Sequence, residues 1–428
     1  MTSFFIFHLQ LFFILKIFFS IILFLYLRNK NKSYMKIDIN KVKIIPNNIG
    51  NWGFCIFGEP DTELEKWIEC WGLKSEISGK FTNIYPTDSF NVCEAFENPN
   101  TFKYVDGFSP NLNKHLHIGH VSNLVIANAL QHMDIGEKFI AILGDTLNGV
   151  VTKYDALVEY DKICKTFDYK VSDKFYASDM KIKNSNLLSD GVESYTGTKV
   201  FEIGDDEKIV GIKNNGSTTY FYQDVALAEY LDAETLYLTG VEQSNHFKTL
   251  SKLFPKVKHI GLGLVNLGGK KMSSSEGNVI MLNDFIDSLM VKFDNNIKLV
   301  YNVIAGFILK SAPETAKNIN MDIIDNPKQS MGLYLSYTMA HIKSCGVETF
   351  DKKEYTSKNL QFCDLKSKVL LSPQILFSAL VEHCKMINKM YETHYIKNNE
   401  ENIKIFSDLI SDLKLGMETL GMFSIDKV

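Results

Sequence analysis

Residues 109–120 read S-P-N-L-N-K-H-L-H-I-G-H and separate two segments of different periodicity. Before them, residues 103–108 form a short run that predicts a strand. After them, residues 121–133 carry apolar side chains at helical spacing. In a strand, polar loop and helix arrangement, free backbone N–H groups and the positive end of the helix dipole face an anion. The sequence therefore predicts an α/β fold with an anion site at this loop.

Three residues of this histidine loop (109–120) suit the binding of a nucleotide. His117 and His120 place two imidazoles where both can reach one triphosphate, and Gly119 lets a flat base approach the backbone. A second loop at residues 268–278, G-G-K-K-M-S-S-S-E-G-N, carries two lysines and three serines. A pair of histidines on a loop is more often structural, so the nucleotide interpretation depends on both loops.

Together the two loops resemble the H-I-G-H and K-M-S-K-S signatures of class I aminoacyl-tRNA synthetases. Their detailed residue patterns resemble those of arginyl-tRNA synthetases. The patterns of that family at these two sites are S-P-N-x-x-K-x-x-H-x-G-H and K-K-M-S-S-x-x-G-N-V. The resemblance covers about residues 103–150 and 210–428. It implies an α/β fold with a Rossmann-like parallel-sheet catalytic domain and a connective insertion, followed by an all-α anticodon-binding helical domain.

The resemblance also implies a reaction, in which ATP and Mg²⁺ activate arginine to arginyl-adenylate and the arginyl group then moves to tRNA(Arg). Catalysis would consist of positioning and charge stabilisation, without a side-chain nucleophile and without a metal site of the protein's own. The expected catalytic residues are His117, His120, Lys114, Lys271 and Ser273. The expected ATP-binding residues are Gly119, His117, His120, Gly240, His246, Met272 and Ser274.

Ser274 stands where most class I enzymes have the second lysine of K-M-S-K-S. Many arginyl-tRNA synthetases share this loss and carry a lysine just ahead of the first histidine, the position of Lys114. The exchange is physically sensible because a developing pyrophosphate needs positive charge from whichever loop supplies it. Loss and replacement together favour arginine over glutamate, glutamine and methionine as the substrate.

Residues 218–246 resemble the family's T-Y-x-x-R-D-x-A pattern followed by G-A-D-Q-x-x-H-F. They predict a strand, a helix from Asp224, a strand at 235–239 and a glycine-containing loop. A carboxylate such as Asp224 suits a guanidinium, whose planar fork of donors pairs with two oxygens; the alternative for Asp224 is a helix N-cap. The expected arginine-binding residues are Ser109, Asn111, Asp106, Tyr220, Asp224 and Gln243.

Some features depart from the family pattern. Gln223 replaces an arginine, Asp106 replaces a glutamate, and the N-terminal region looks too short for the domain that contacts the tRNA elbow. With Ser274, they support an alternative in which the chain is a catalytically weakened, synthetase-like paralogue with a binding or regulatory role. A class I synthetase for lysine is a further alternative, because Asp224 suits a cationic side chain.

The expected domains are a hydrophobic segment at 1–34, an extension of unclear role at 35–100, the catalytic domain at 101–290 with its insertion at about 150–215, and the helical domain at 291–428. Helices are expected at 333–344, 374–391 and 403–421, with a linker at 350–368. Tyr334, Tyr337 and His341 share one face of the first helix and are candidates for stacking on tRNA bases. Aromatic residues at such spacing are more often part of the core.

Residues 4–27, from Phe4 to Leu27, are almost entirely apolar and are followed by basic residues. Their length fits a membrane anchor that leaves the rest of the chain cytoplasmic. Lys16 weakens that interpretation, and a translation start at Met35 would remove the segment. The protein is expected to be a cytoplasmic monomer, associated with a membrane only if this segment is real.

Composition limits the choice of function less than the motifs do. The 428 residues, 45% of them hydrophobic, suffice for a sizeable core and two or three domains. The formal net charge of −4 does not indicate a nucleic-acid binder, so tRNA contacts must come from local clusters. The seven cysteines include no C-x-x-C pair, which indicates reduced thiols without a disulfide framework or zinc site.

Overall fold

The computed structural model describes residues 35–44, 53–87, 90–97, 101–145, 151–191, 196–204, 207–268, 270–271 and 280–427. The chain divides into two compact units, Met1–Glu97 and Asn98–Val428. The apolar segment at 4–27 lies outside the described residues. A helix with the length and hydropathy of a membrane span is not found among those that are described.

The helices of the described residues are, in chain order, α1 (Thr62–Trp71), α2 (Val92–Ala95), α3 (Val121–His132), α4 (Lys153–Thr166), α5 (Tyr220–Leu231), α6 (Ser244–Leu253), α7 (Leu282–Lys292), α8 (Ile297–Leu309), α9 (Met331–Ser344), α10 (Lys358–Val369), α11 (Gln374–Thr393) and α12 (Glu400–Thr419). The strands are β1 (Lys43–Ile44), β2 (Phe54–Phe57), β3 (Lys74–Ser78), β4 (Phe81–Tyr85), β5 (Phe102–Asp106), β6 (Gly136–Leu143), β7 (Asp173–Tyr176), β8 (Ser189–Asp190), β9 (Lys199–Ile203), β10 (Glu207–Ile212), β11 (Thr235–Gly240), β12 (Val257–Leu262), β13 (Val265–Leu267), β14 (Lys270–Lys271) and β15 (Lys317–Ile319).

In the first unit, the described strands pair antiparallel in the order β1-β2-β4-β3. Helix α1 begins after Asp61, whose side chain accepts a hydrogen bond from the Leu64 N–H, and ends at Gly72 in the left-handed conformation. Its buried face meets the sheet through a cluster of aromatic rings formed by Phe54, Trp67, Phe90 and Phe96. This unit contains no residue of the predicted site.

In the second unit, five of the described strands form a parallel sheet in the order β12-β11-β5-β6-β7, which confirms the predicted parallel sheet. Helices α3, α4 and α6 connect β5 to β6, β6 to β7 and β11 to β12. The chain first forms β5, β6 and β7, which run from the middle of the sheet to one edge. It later forms β11 and β12, which run from the middle to the other edge. The strand order therefore reverses between β5 and β11, and α/β folds bind ligands at the carboxyl ends of the strands beside such a reversal.

Helix α3, which follows the histidine loop, is buried over most of its length. It packs on the sheet and against α8, so its sequence is apolar on nearly every side rather than along one stripe. Its buried polar residue Asn128 donates to the hydroxyl of Tyr301 at 2.7 Å and to the carbonyl of Phe167 at 3.2 Å. These contacts fix the second half of the helix against α8 and the end of α4.

The segment predicted as an insertion of helix and turn, residues 150–215, contains more regular structure than expected. Strand β7 pairs with β6 in the parallel sheet, and helix α4 connects these two strands. Strands β8, β9 and β10 form a separate antiparallel sheet whose Phe201 and Ile203 share a core with α5. These strands are short and lie among polar residues, so the sequence analysis did not recognise a strand pattern in them. The domain boundaries themselves stay a prediction.

The C-terminal part is helical, as predicted, and α9 packs against α8, α11 and α12. The prediction of a linker at 350–368 is wrong, because these residues include most of helix α10. The turn before that helix is fixed by buried Asp412, which accepts the backbone N–H groups of Thr356 and Ser357 at 2.9 Å each and the ammonium of Lys352 at 2.8 Å. Those contacts come from α12 and have no local sequence signal.

Candidate active site

A pocket with a volume of about 280 Å³ opens at the carboxyl ends of β5, β11 and β12. Its wall is formed by the histidine loop, by the turn that follows β11 and by the connection between β12 and β13. It brings together residues that the sequence analysis placed in one site although they are distant in the chain. These are Ser109, His117, Gly119, Gly240 and Gln243. The wall also includes Thr239, Glu242 and Leu264, which were not predicted.

The two histidines lie side by side, with their ring centroids 4.0 Å apart. The Gly119 N–H donates to Nδ1 of His117, and the His117 N–H donates to Nδ1 of His120, each at 3.1 Å. Because a backbone N–H can only donate, both Nδ1 atoms act as acceptors, and the neutral rings carry their proton on Nε2. Each imidazole therefore has an Nε2–H donor to offer to an anion.

The environment keeps both rings neutral. Burial lowers the pKa of His117, and the charge of Lys114 lowers it further. Burial lowers the pKa of His120 to about 3, with added contributions from His117 and Lys114. The imidazoles are thus hydrogen-bond donors without a charge at neutral pH, and the exposed side chain of Lys114 supplies the positive charge of this loop.

The histidine loop pairs with the segment that follows the second loop. The Ile118 N–H donates to the carbonyl of Ile280 at 3.1 Å, and the Leu282 N–H donates to the carbonyl of Leu116 at 2.9 Å. His117 and Met281 face each other across this short antiparallel bridge. The histidine loop is therefore adjacent in space to the residues that directly follow the second loop.

Asp224 is not the cap of its helix, and the predicted helix start is corrected. Helix α5 begins at Tyr220 and is capped by Thr219, whose hydroxyl accepts the Tyr222 N–H at 3.3 Å. The Asp224 carboxylate lies one turn into the helix and is bonded to Nε2 of His246 at 2.6 Å. The N-cap alternative is therefore wrong. His246, which was expected to bind ATP, contacts this carboxylate, and its contact with ATP stays a prediction.

Asp106 ends strand β5 and is only 4% exposed. Its carboxylate accepts a hydrogen bond from the hydroxyl of Ser109, which in turn accepts the Ile142 N–H at 2.8 Å. Burial raises the pKa of Asp106 to about 7; the Ser109 bond opposes this shift, and the negative charge of Asp224 adds to it. A cation placed between the two carboxylates would relieve their repulsion.

Tyr237 is a residue of this region that the sequence analysis missed. It lies opposite Asp106 in the pairing of β11 with β5 and is fully buried. Within the described part of the chain its hydroxyl has no hydrogen-bond partner. Burial raises its pKa well above the usual value, and the charges of Asp224 and Asp106 raise it further. Its place in an apolar strand gave it the signal of an ordinary core residue.

The other predicted arginine-binding residues are more exposed. Asn111 forms an isolated bridge with Gly144, and a Cβ at Gly144 would come within 1.9 Å of the Asn111 Oδ1. Gly144 is thus required for this close approach. Tyr220 is the first residue of α5 and is about half exposed, and Gln243 lies on the pocket wall.

Comparisons with known proteins agree with this geometry. No family model matches the chain. The arginine–tRNA ligase of Clostridium botulinum is 25% identical over 441 residues, which cover 89% of this chain and 73% of the relative. That of Lactobacillus johnsonii is 28% identical over 264 residues, which cover 53% of this chain and 46% of the relative. The chain thus spans about half the length of some curated relatives that it matches.

Solved structures extend the likeness to the fold. The arginyl-tRNA synthetase of Thermus thermophilus superposes with a TM-score of 0.62 at 14% identity, covering 90% of this chain and 96% of that chain. The arginyl-tRNA synthetase of Plasmodium falciparum gives 0.61 at 16% identity, covering 90% and 95%. The fold is that of arginyl-tRNA synthetases. The resemblance stated from the sequence is confirmed.

The helical region contains the residues that were predicted to bind tRNA. Tyr337 and His341 stack in parallel on α9, with ring centroids 5.9 Å apart, and Tyr337 is 46% exposed. Tyr391 of α11, which was not predicted, meets His341 edge-on at 4.8 Å. Tyr334 instead accepts a hydrogen bond from the Asn388 amide at 2.9 Å. Tyr337, His341 and Tyr391 therefore form an aromatic cluster at the surface of this region.

Part of the second synthetase loop lies outside the described residues. This applies to Met272, Ser273 and Ser274, and Lys271 is described only through its backbone in β14. Their predicted contacts stay predictions. What the structure does show is the base of the loop, where β14 pairs with β13 and β13 continues the pocket wall from Val265.

Proposed function

We propose that the chain is an arginine–tRNA ligase, which activates arginine with ATP and transfers the arginyl group to tRNA(Arg). The observation that supports it most is that hydrogen-bond donors for an anion and carboxylates for a cation lie at the same end of the parallel sheet. Neutral imidazole donors and Lys114 lie on the histidine loop, and the carboxylates of Asp106 and Asp224 lie at the neighbouring strand end and on α5. The curated relatives are named arginine–tRNA ligases, which supports an enzyme over a non-catalytic paralogue.

In the first step an oxygen of the arginine carboxylate forms a bond to the α-phosphorus of ATP. The bond from that phosphorus to the bridging oxygen breaks, and pyrophosphate leaves. The Nε2–H groups of His117 and His120 would donate to phosphate oxygens, and Lys114 would stabilise the charge that develops on the leaving group. The protein contributes position and charge and needs no nucleophile of its own.

Mg²⁺ fits this arrangement as a companion of ATP. The described residues include no cluster of three or more histidine, cysteine or acidic side chains able to hold a metal, and Mg²⁺ commonly binds through substrate phosphates and water. When bound, it would neutralise phosphate charge. The chain's own residues would contribute hydrogen-bond donors at the histidine loop and hydrogen-bond acceptors around the amino acid.

The acceptor set favours arginine over lysine. A guanidinium presents five N–H donors in a plane, whereas an ammonium presents three at one point. The carboxylates of Asp224 and Asp106 can accept from more than one side, as can the hydroxyl of Tyr237, which has no hydrogen-bond partner among the described residues. A lysine in the same place would leave acceptors unpaired, which costs about 1–3 kcal/mol for each buried group.

In the second step the arginyl group moves to the terminal ribose of tRNA(Arg). Tyr337 and His341, with Tyr391, are proposed to stack on tRNA bases, because exposed rings at one helix surface suit unpaired nucleotides. The cytoplasm is the proposed location, and a monomer the proposed state.

Charging of bulk tRNA with labelled arginine and, separately, lysine tests the proposal. We expect the purified chain to charge arginine and not lysine, and Asp224→Asn to lose arginine charging while still binding ATP. Asp232→Asn is the matched control, because Asp232 caps the same helix in a left-handed conformation that asparagine also adopts. Lysine charging would establish the lysine alternative. Failure to charge either amino acid, with ATP still bound, would leave the paralogue.

A further inference from the structure

Glu159 joins three segments that are distant in the sequence. It lies on α4 with a side chain that is 10% exposed. One carboxylate oxygen is 2.9 Å from Nδ1 of His115, and the other accepts the side-chain amide of Asn283 at 2.9 Å. His115 belongs to the histidine loop, and Asn283 lies in the first turn of α7, just after the second loop.

The position of Glu159 is fixed independently of both loops. The next residue, Tyr160, is fully buried, and its hydroxyl donates to the carbonyl of Phe108 at 2.9 Å. Its ring also stacks on that of Phe108, with centroids 5.1 Å apart. Ala156 and Ile163 on the same helix face are buried as well. The core therefore sets the height and rotation of α4, and Glu159 is held where both partners can reach it.

The two partners of Glu159 flank the bridge between the loops. His115 immediately precedes the strand-like residues 116–118, and Asn283 immediately follows residues 280–282, which pair with them. Among the described residues two backbone hydrogen bonds form this bridge, and His117 lies in its middle opposite Met281. So short a pairing would open easily in water, because two strands alone are at best marginally stable. The carboxylate closes it at the side where both chains approach α4.

We propose that Glu159 is a positioning residue, which holds the histidine loop against the segment leaving the second loop so that the two loops meet one nucleotide in a fixed geometry. This inference rests on the proposed function, since the two loops need a fixed separation only if both act on the same ATP. A carboxylate suits the task because it accepts hydrogen bonds at two oxygens at once. His115 need not be charged, because its Nδ1–H donates in the neutral ring.

The kinetic test compares Glu159→Ala with the isosteric Glu159→Gln in full-chain protein. We expect Glu159→Ala to lower kcat for arginine charging about tenfold, which corresponds to about 1.4 kcal/mol of lost transition-state stabilisation. The KM for arginine should not change, because Asp106 and Asp224 lie on other elements. Glu159→Gln should recover most of kcat, since its carbonyl can accept from Asn283 and its amide can donate to Nδ1 of His115.

Glu229→Ala is the matched control. Glu229 is also a partly buried carboxylate on a helix, and it accepts two backbone N–H groups, those of Lys183 and Asn184, at 2.7 Å each. It holds a segment of the predicted insertion at 150–215 and does not contact the histidine loop. We expect it to lower thermal stability and leave kcat unchanged. An equal loss of kcat in both variants would show a general loss of structure and overturn the proposal.

Amide hydrogen exchange tests the same contact without any substrate. The Ile118 and Leu282 amides make the two bridge bonds, so both should exchange about tenfold faster in Glu159→Ala, again about 1.4 kcal/mol, and at the wild-type rate in Glu229→Ala. His115→Ala and Asn283→Ala remove one partner each while leaving α4 intact, and should give part of this acceleration. Unchanged exchange in Glu159→Ala would overturn the proposal. A wild-type protein that does not charge arginine would refute the proposed function alone.

Discussion

Replacing Asp106 by asparagine should make the substrate-free protein more stable and its binding of arginine weaker. Asp106 is buried, and Asp224 faces it with a negative charge, so its ionised form is costly until a cation arrives. Asparagine has nearly the same shape and can still accept from the Ser109 hydroxyl. It removes the ionisation, and with it both the cost and the attraction for the guanidinium.

The size of the effect follows from the pKa of Asp106, which burial raises from 3.8 to about 7. Between these values the folded protein keeps a proton that the unfolded chain has lost, so the stability of the wild type falls as the pH rises. The asparagine variant has no such loss. Its advantage in free energy of unfolding should therefore grow by about 3 kcal/mol from pH 5 to pH 8. Tyr169 and Tyr237, which also face Asp106, stay neutral because burial raises their pKa values.

Arginine binding should change in the opposite direction. The ionised carboxylate of Asp106 attracts the guanidinium, so the wild-type KM for arginine should fall about tenfold from pH 6 to pH 8 as the carboxylate ionises. Asp106→Asn should show a higher KM without this slope. The KM for ATP should be the same in both proteins, because the histidine loop keeps its backbone hydrogen bonds.

Stability is best measured by urea unfolding followed by far-ultraviolet circular dichroism. Tryptophan fluorescence is unsuitable, because all three tryptophans, at positions 52, 67 and 71, belong to the first unit. The circular dichroism signal comes mainly from the helices of the second unit. A stability difference that stays constant or shrinks from pH 5 to pH 8 would refute the assigned environment of Asp106. An arginine KM that is equally insensitive to pH in both proteins would refute its contact with the substrate.

Three further substitutions test the donor side and the pocket wall. His120→Asn should lower kcat about 10²- to 10³-fold with little change in melting temperature, because the amide oxygen can replace Nδ1 as acceptor while the Nε2–H donor is lost. Gly144→Ala should raise the KM for arginine about tenfold, since the new Cβ would displace the Asn111 amide from 1.9 Å. Gly263→Ala should raise the KM for ATP and lower the free energy of unfolding by about 1–3 kcal/mol, because its Cβ would lie 2.2 Å from the backbone oxygen of Thr315.

The histidine loop and its surroundings were predictable because the signals are local. The strand before the loop and the buried helix after it show their periodicity within a few residues, and Gly119 allows a close approach without tertiary help. The parallel sheet was predicted from the family resemblance that these same residues carry. Helix α1 at Thr62–Trp71 has equally local signals, since Asp61 and Gly72 cap its two ends.

The role of Asp224 could not be settled locally, because an aspartate near a helix start has the same signal whether it caps the helix or binds a ligand. Only the structure shows that Thr219 takes the cap and that His246, on another helix, holds the carboxylate. Tyr237 had the pattern of a core strand residue. That its hydroxyl has no hydrogen-bond partner in the described part of the chain is a tertiary property. Helix α10 was taken for a linker for the same reason, since its start depends on Asp412.

The strand order explains how one end of the sheet can carry side chains of opposite chemistry. Strands β5 and β11 are neighbours, but the chain leaves them towards different halves of the sheet, so their loops part at the carboxyl ends. The loop after β5 offers N–H donors for phosphate. Asp106 at the end of β5 and Asp224 on α5, the helix that leads into β11, offer acceptors for a cation. Because the two sets lie on different elements, a change in one should alter the KM of one substrate alone; a variant of Asp106 that shifted the KM values of ATP and arginine together would contradict this division.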